Sequence, residues 1–142
     1  NGMRKIIFYL LTLVLLAPLS LEAAAVDLGF AKDAVSFDNT LIAGRKVRLY
    51  ATVKNYGSVD ASGYVQFYQG TVLIGESQTV SLRAGGVPDE VYVDFNVPAS
   101  AFNVRVQLMG ILPADENQDN NFYVTPVFTP IVDEDMDGIV DD

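Results

Sequence analysis

The stretch that decides the fold is Arg45-Lys46-Val47-Arg48-Leu49-Tyr50-Ala51-Thr52-Val53-Lys54-Asn55-Tyr56-Gly57. Apolar side chains occupy every second position from Val47 to Val53, and polar or amphipathic side chains lie between them. A strand sends successive side chains to opposite faces, so this pattern predicts one buried and one solvated face. An amphipathic helix, the alternative, would place charges among the apolar residues on every side. Asn55 and Gly57 then favour a tight turn, because both tolerate positive φ.

The same alternation recurs after residue 25 at intervals of roughly 8–12 residues, without a helical pattern. The predicted strands are 26–37 with a kink or an edge position at Lys32-Asp33, 45–54, 62–68, 72–82 with a bulge or bend at Gly75, 91–97, 102–108 and 122–128. This organisation predicts an all-β fold, an immunoglobulin-like antiparallel β-sandwich of about seven strands. The predicted aromatic part of its core is Phe30, Phe37, Phe67, Phe95, Phe102 and Phe122, with Val124 also inward.

Composition excludes several classes of function. The 142 residues include 18 acids and nine bases, for a net charge of −9, and they contain no Cys, His or Trp. A chain so acidic repels nucleic acid and anionic lipid. Without thiols or imidazoles there are no disulfides, no histidine bases and none of the usual zinc sites. Any metal must therefore be held by oxygen, which favours a hard cation such as calcium.

The amino terminus has the pattern of a secretory signal peptide. Arg4 and Lys5 precede an apolar run from Ile6 to Leu16, and small residues end at Ala25. We expect residues 1–25 to be this signal, cleaved after Ala25, which predicts a secreted or cell-surface protein that is not inserted in the membrane afterwards. The alternative is an uncleaved anchor helix, but the apolar run is shorter than the roughly 20 residues that span a bilayer.

A set of spaced motifs runs through residues 27–128. They are Asp27-Leu28, the phrase from Gly44 to Asn55-Tyr56-Gly57, Asp60-Ala61, Val65-x-Phe67-Tyr68, Ile74-Gly75, Ala84-Gly85 and Glu116-Asn117-Gln118-Asp119-Asn120-Asn121-Phe122. Together they resemble the CARDB domain, the bacterial cell-adhesion-related, immunoglobulin-like module, although Pro88-Asp89-Glu90 lacks the family's Ser/Thr-rich entry. The resemblance implies a seven-stranded extracellular spacer or adhesive unit of a larger protein, without catalytic residues.

The acidic segment after Pro130 has the spacing of a calcium loop. Its predicted ligands are Asp133, Asp135, Asp137, the Ile139 carbonyl and Asp141, with Gly138 at the turn. The spacing also resembles the thrombospondin type 3 repeat, whose loops run in tandem and share ligands. Because the twelfth position falls beyond Asp142, we expect further chain to complete the site. The alternative is a solvated acidic tail, which explains the charge but not the Asp/Gly spacing.

Two other clusters are weaker candidates. Asp115, Glu116 and Asp119 could hold calcium, but a hydrophilic loop whose Asn side chains satisfy backbone groups is the simpler interpretation. Outward tyrosines could form a face that binds sugars or a protein partner, and its predicted residues are Tyr64, Tyr68 and Tyr123. The alternative is ordinary cross-strand packing of half-exposed tyrosines. Tyr50 and Tyr92 are also predicted to face outward.

We therefore predict a module that is not an enzyme. Residues 26–129 form the sandwich and 130–142 a linker and calcium-binding tail. The expected partners are neighbouring domains of the same parent protein. The alternatives are a module that binds a cell-surface protein or glycan through its tyrosines, and an accessory domain of a secreted hydrolase.

Overall fold

The computed structural model describes residues 25–115 and 117–133, and all of their regular elements are β-strands. The strands are β1 Leu28–Phe37, β2 Lys46–Asn55, β3 Ala61–Gln69, β4 Val72–Leu82, β5 Asp89–Asn96, β6 Val104–Leu112 and β7 Phe122–Val124. One antiparallel sheet has the order β1-β2-β5, and the other has the order β4-β3-β6-β7. We call them the small and the large sheet. The predicted immunoglobulin-like sandwich is confirmed.

The core lies between the two sheets and follows the alternation of β2. Leu49, Ala51 and Val53 are completely buried, and Val47 nearly so, whereas Lys46 and Arg48 are exposed. The large sheet presents its own buried set from the opposite side: Val65, Phe67, Val104 and Val106. Each such Val, Leu or Phe contributes about 1.5–3 kcal/mol by leaving water. The two-residue period therefore places one face of β2 against the core, and β2 is the middle strand of the small sheet.

The β2–β3 turn is stabilised by a buried amide. Asn55 Nδ2 donates to the carbonyls of Val59 at 2.9 Å and Leu82 at 3.1 Å, and Asn55 Oδ1 accepts from the Gly57 N–H at 2.9 Å. Burial makes each of these bonds necessary, because an unpaired amide or carbonyl in the core costs free energy. Asn55 therefore joins the end of β2 to the end of β4.

Two predicted irregularities are present. β1 changes register between Phe30 and Val35, with Asp33 at φ 61°, where Lys32-Asp33 predicted a kink. β4 changes register opposite Val65 and Phe67, with Gly75 at φ 63°, so the bulge expected at Gly75 is confirmed. Such bulges bend a strand and terminate regular pairing.

The prediction for β7 is wrong in its phase. Phe122 and Val124 are 51% and 46% exposed, while Tyr123 pairs with buried Val106 and packs against the core. In-register partners of an antiparallel pair lie on the same face, so Tyr123 points inward. The strand predicted over 122–128 is regular only from Phe122 to Val124, and three residues offer too few alternations to indicate a phase.

The chain beyond β7 stays on the sandwich up to Asp133. Phe128 and Phe102 exchange two backbone hydrogen bonds, of 2.7 and 3.0 Å. Ile131 donates to the Leu41 carbonyl at 2.9 Å and accepts from the Ala43 N–H at 2.8 Å. We call residues 127–133 the exit strap. The described part of the chain contains no helix of the length and apolarity that crossing a membrane requires.

Candidate functional site

The outer face of the large sheet carries two of the selected tyrosines. Tyr64 and Tyr68 lie on β3, opposite Met109 and Arg105 of β6, and both are half-buried. Tyr64 fits over Gly110, which has φ 58° and sits at a register change in β6. A Cβ atom at Gly110 would lie 2.6 Å from Tyr64 Cε1. The missing side chain of Gly110 therefore makes room for the Tyr64 ring.

Tyr68 belongs to a row of polar contacts on the same face. Its hydroxyl donates to Gln66 Oε1 at 2.7 Å, and Gln66 Nε2 donates to Ser77 Oγ at 3.4 Å. On β6, Arg105 Nη2 donates to Gln107 Oε1 at 2.9 Å, and the Arg105 guanidinium lies 5.9 Å from the Phe122 ring centroid. Amide, hydroxyl and aromatic groups thus cover this face.

Tyr123, the third selected tyrosine, is not part of this face. It packs against the core on the inner side of the large sheet, with Phe122 taking the outward position. The predicted set Tyr64, Tyr68 and Tyr123 is therefore corrected to Tyr64 and Tyr68.

The small sheet brings together an aromatic and cationic cluster on its outer face. Tyr50 of β2 is directly opposite Tyr92 of β5, with ring centroids 5.6 Å apart, and Tyr92 is 43% exposed. The Arg48 guanidinium lies 4.5 Å from the Tyr92 ring centroid. A hydrogen bond with the Tyr50 side chain, followed by the electrostatic effect of Tyr92, raises the pKa of Arg48 above its ordinary value. We call Arg48, Tyr50 and Tyr92 the β2–β5 cluster.

The predicted outward phase of Tyr50 and Tyr92 is correct, but the role of Arg48 could not be assigned from the sequence. The signal was present, since Arg48 and Tyr50 are consecutive outward positions of one strand. The contact with Tyr92 depends on the register of β2 against β5, in which Arg48 pairs with Asp94 and Tyr50 with Tyr92.

Asp133, the first predicted calcium ligand, is held by the sandwich. Its side chain is 2% exposed, and its Oδ2 accepts from Arg45 Nη2 at 3.5 Å. A guanidinium beside a carboxylate partly neutralises its charge and so weakens its attraction for a cation. Asp135, Asp137, Ile139 and Asp141 lie outside the described residues. Within 25–115 and 117–133, no three carboxylates are arranged to hold a metal ion.

The second acidic cluster is a hydrogen-bonded loop. Asp115 Oδ1 accepts from the Asn117 N–H at 2.9 Å, and Asn117 Oδ1 accepts from the Asp119 N–H at 3.2 Å. Asn120 Nδ2 donates to Asp27 Oδ1 at 2.9 Å, which attaches the loop to the start of β1. These hydrogen bonds are the ones that the hydrophilic-loop interpretation predicts. The third acid of the cluster, Glu116, lies outside the described residues.

Asn121 completes that attachment. With its amide nitrogen turned toward the acceptors, it donates to the Leu28 carbonyl at 2.7 Å and to Asp115 Oδ2 at 2.8 Å. A shallow groove beside this loop is lined by Met109, Asp115 and Phe122 among others. Asp115 is the one carboxylate among the described residues that line it, and both of its oxygens accept hydrogen bonds.

With this geometry described, the solved structures give the comparison. The crystal structure of the CARDB domain of the PF1109 protein from Pyrococcus furiosus, in complex with di-metal ions, superposes with a TM-score of 0.62. It has 15% identity and covers 79% of this chain and 98% of that one. The fold is CARDB-like. The solution structure of the same CARDB domain matches with a TM-score of 0.55 at 13% identity, over 79% of this chain and 97% of the other. No protein-family model and no curated protein matches the sequence.

Proposed function

We propose that this CARDB-like chain is a non-catalytic structural or adhesion module of a larger extracellular protein, with a calcium-binding segment at its C-terminal end. The observation that carries the proposal is the exit strap. Residues 127–133 are bonded to the sandwich, and the strap ends with Asp133 against Arg45. These bonds fix the point on the sandwich from which the following segment continues. A spacer needs such a fixed connection to the next domain.

The calcium part of the proposal rests on the sequence after the strap. Asp135, Asp137 and Asp141 supply carboxylates and Ile139 a carbonyl, which are the oxygen ligands that calcium prefers. Asp133 also forms an ion pair with Arg45. We therefore expect it to contribute less to calcium affinity than its position in the loop predicts. Calcium bound there would neutralise the segment and stiffen the connection to the next domain. That one CARDB domain was solved with di-metal ions is compatible with metal binding.

Calorimetric titration of the full chain with calcium tests this part. We expect measurable heat that the double variant Asp135→Asn/Asp137→Asn removes. The control Asp94→Asn, which changes an exposed carboxylate on β5, should bind as the wild type does. A titration without heat up to millimolar calcium, or equal binding by all three proteins, would contradict the calcium assignment.

The extracellular part rests on residues 1–25, whose pattern is that of a signal peptide. When the chain is expressed with residues 1–25 present, we expect the exported protein to reach the medium or periplasm with Val26 as its first residue. Amino-terminal sequencing of the exported protein measures this directly. A product that retains residues 1–25 in the membrane fraction would contradict cleavage.

A second candidate is ligand binding through the tyrosine faces. The half-buried pair Tyr64/Tyr68, and Tyr50 beside the exposed Tyr92, favour it, because outward aromatic rings on a sheet offer flat apolar surface to a ligand. Glycan-array binding that falls in a Tyr64→Ala/Tyr68→Ala variant would locate the ligand on the large sheet. Binding that survives this change would exclude that face.

A further inference from the structure

The outer face of the large sheet is almost uncharged. β3 and β7 contain no charged residue, β6 contains only Arg105, and β4 contains only Glu76. Glu76 lines a shallow groove together with Tyr92 and Asp94 of β5, so it lies at the edge of the sandwich and not on this face. The strands of the small sheet, by contrast, contain Lys32, Asp33, Lys46, Arg48, Lys54, Asp89, Glu90 and Asp94. In a chain with a net charge of −9, the outward positions of the four described strands thus form a surface without a carboxylate.

Apolar and amide side chains take the place of charges on this face. Leu73, Phe122 and Val124 are exposed, and the half-buried members are Tyr64, Gln66, Tyr68, Gln107 and Met109. Interfaces between proteins differ from other surface in the same way, since Tyr, Phe, Met and Arg are enriched there and Lys, Glu and Asp are depleted. Asp115, in the loop beside the face, has both oxygens engaged in hydrogen bonds within the chain. The composition therefore indicates a surface that another protein covers.

Strand pairing arranges these side chains in rows across the sheet. The rows are Leu73–Tyr68–Arg105–Val124, Gln66–Gln107–Phe122 and Tyr64–Met109. Each row is divided by the boundary between β3 and β6. Groups that attract one another lie on the two sides of this boundary at equal distances: a ring and a cation, two amides, a ring and a thioether, and two outer aliphatic chains. A two-fold axis along the strands, in the plane of contact, exchanges the two sides, so the face is complementary to itself.

We propose that the outer face of the large sheet binds a second copy of this chain through such a two-fold axis. Tyr68 of each copy then faces Arg105 of the other, and an aromatic ring is a favourable partner for a guanidinium that has no carboxylate nearby. The two guanidinium groups do not meet, because each lies against β3 of the opposite copy. Leu73 faces Val124 at both outer ends of this row, where two exposed aliphatic side chains leave water.

The other two rows add contacts between polar and polarizable groups. Gln66 faces Gln107 of the second copy, and each amide can both donate and accept a hydrogen bond. Tyr64 faces Met109, whose thioether packs favourably against an aromatic ring.

Hydrogen bonds within each copy already hold two of these rows in place. Tyr68 Oη donates to Gln66 Oε1 at 2.7 Å, and Arg105 Nη2 donates to Gln107 Oε1 at 2.9 Å. Side chains that are ordered before association lose less conformational freedom when the partner arrives. The face is therefore prepared for a contact that uses its present side-chain arrangement.

Other occupants fit this face less well. An acidic protein would pair with Arg105 but would place its remaining carboxylates against apolar side chains and rings. A glycan would need free ring faces, whereas Tyr64 covers Gly110 and both outward tyrosines are half-buried. A second copy brings no carboxylate to the contact, which matters because two chains of net charge −9 repel each other elsewhere on their surfaces.

The size of the face predicts a reversible dimer. Four strands span about 15 Å, and six residues along them span about 20 Å, which gives roughly 300 Å² of flat contact. A standard interface covers about 800 Å² on each partner, so a single contact is weak. Two surfaces that display many copies would strengthen it by multivalency. The inference rests on the adhesive part of the proposed function, names its partner, and does not involve the calcium segment.

Sedimentation equilibrium of the full chain tests the proposal. EDTA is present throughout, so that calcium cannot join two acidic segments. We expect a concentration-dependent dimer that becomes tighter as NaCl rises from about 20 to about 300 mM, because salt screens the repulsion between the acidic chains. Arg105→Glu places a carboxylate in the contact and should raise the dimer dissociation constant about tenfold or more.

Arg48→Glu is the matched control. It makes the same change of charge at an exposed position, but on the outer face of the small sheet, and it should dimerise as the wild type does. Circular dichroism melting curves establish that both variants are folded. Val124→Ser, which shortens an exposed side chain of β7, is a second variant that should weaken the dimer without adding charge.

Thiol cross-linking tests the position of the axis. The chain contains no Cys, so single cysteines can be introduced without competing thiols. When Gln66→Cys and Gln107→Cys chains are mixed and oxidised, we expect the mixed disulfide in excess of its statistical share, because the axis places these positions opposite each other. Asn96→Cys, at an exposed position of β5, should give no disulfide above background.

Four results would overturn the proposal. They are a monomer at all concentrations, equal weakening by Arg105→Glu and Arg48→Glu, a dimer that loosens as salt rises, and equal cross-linking through Asn96→Cys. Binding of a glycan that protects the face while the chain stays monomeric would likewise assign it to another occupant. The calcium titration concerns other residues, so a failure here is distinguishable from a failure of the calcium-stiffened spacer.

Discussion

Arg45 Nη2 lies 3.5 Å from Asp133 Oδ2, and this contact joins the start of β2 to the last described residue of the exit strap. The two residues are 88 positions apart in the chain. The carboxylate is buried and the guanidinium is half-exposed, so the arginine compensates charge at a poorly solvated position. The contact determines where the acidic segment begins.

Removing the guanidinium should loosen the strap. We expect Arg45→Gln to lower the free energy of unfolding by about 1–2 kcal/mol, because the guanidinium no longer compensates the charge of the buried carboxylate. Amide hydrogen exchange of Ile131 should accelerate with it. Urea denaturation and exchange mass spectrometry measure the two effects.

Lys46→Gln is the control for Arg45→Gln. It removes the neighbouring charge from an ion pair with Asp94 in which both side chains are more than half-exposed. Exposed pairs contribute roughly 0–1 kcal/mol, so both stability and Ile131 exchange should change little. Equal effects of the two substitutions would contradict the structural role of Arg45–Asp133.

Alanine substitutions at Gly110 and Gly70 distinguish the cost of backbone strain from the cost of side-chain crowding. Both have φ 58°, but a Cβ at Gly110 meets the Tyr64 ring, whereas nothing lies within 4 Å of a Cβ at Gly70. We expect Gly70→Ala to cost about 1 kcal/mol for the left-handed conformation. Gly110→Ala should cost about 2–3 kcal/mol, because crowding adds to that strain.

The double variant Gly110→Ala/Tyr64→Ala tests the cause of the difference. The loss of unfolding free energy caused by Gly110→Ala is measured in the Tyr64→Ala background. If the ring is responsible for the crowding, this loss should fall to that of Gly70→Ala. Thermal unfolding of the four variants provides the cycle. An unchanged cost would show that Tyr64 does not occupy the space over Gly110.

Asn55 provides a test of the buried turn. Asn55→Ala should lower the free energy of unfolding by about 2–3 kcal/mol, because two carbonyls and one N–H lose their partner. Asn55→Asp keeps the acceptor for Gly57 but removes both donors, so it should also destabilise. Asn96→Ala, at an exposed position of β5, is the control and should be nearly neutral.

The phase of β7 can be measured by two adjacent substitutions. Tyr123→Ala should cost about 2 kcal/mol, because its ring packs against the core. Phe122→Ala, which removes an exposed ring, should stay within about 0.5 kcal/mol. Chemical denaturation distinguishes the cases, and the reverse order of effects would restore the inward assignment of Phe122.

The sequence alone determined most of the strands and most of the core, whereas the order of the strands in the two sheets came from the structure. Long alternating strands such as β2 repeat their period several times, so the burial of Leu49 and Val53 follows from local order. The kink at Asp33 and the bulge at Gly75 could also be predicted from the sequence. Both residues adopt positive φ, a conformation that Gly takes freely and Asp tolerates. The CARDB-like fold was implied by the resemblance of the spaced motifs between residues 27 and 128, not by alternation.

Only the tertiary structure decided three features of the candidate sites. β7 is too short for its period to indicate a phase, so its pairing with β6 placed Tyr123 inward. Arg48 meets Tyr92 through the register of β2 and β5. Asp133 meets Arg45 only after the whole sandwich has formed. Local alternation acts over a few residues, whereas these contacts join distant parts of the chain whose approach depends on how strands pair and loops close.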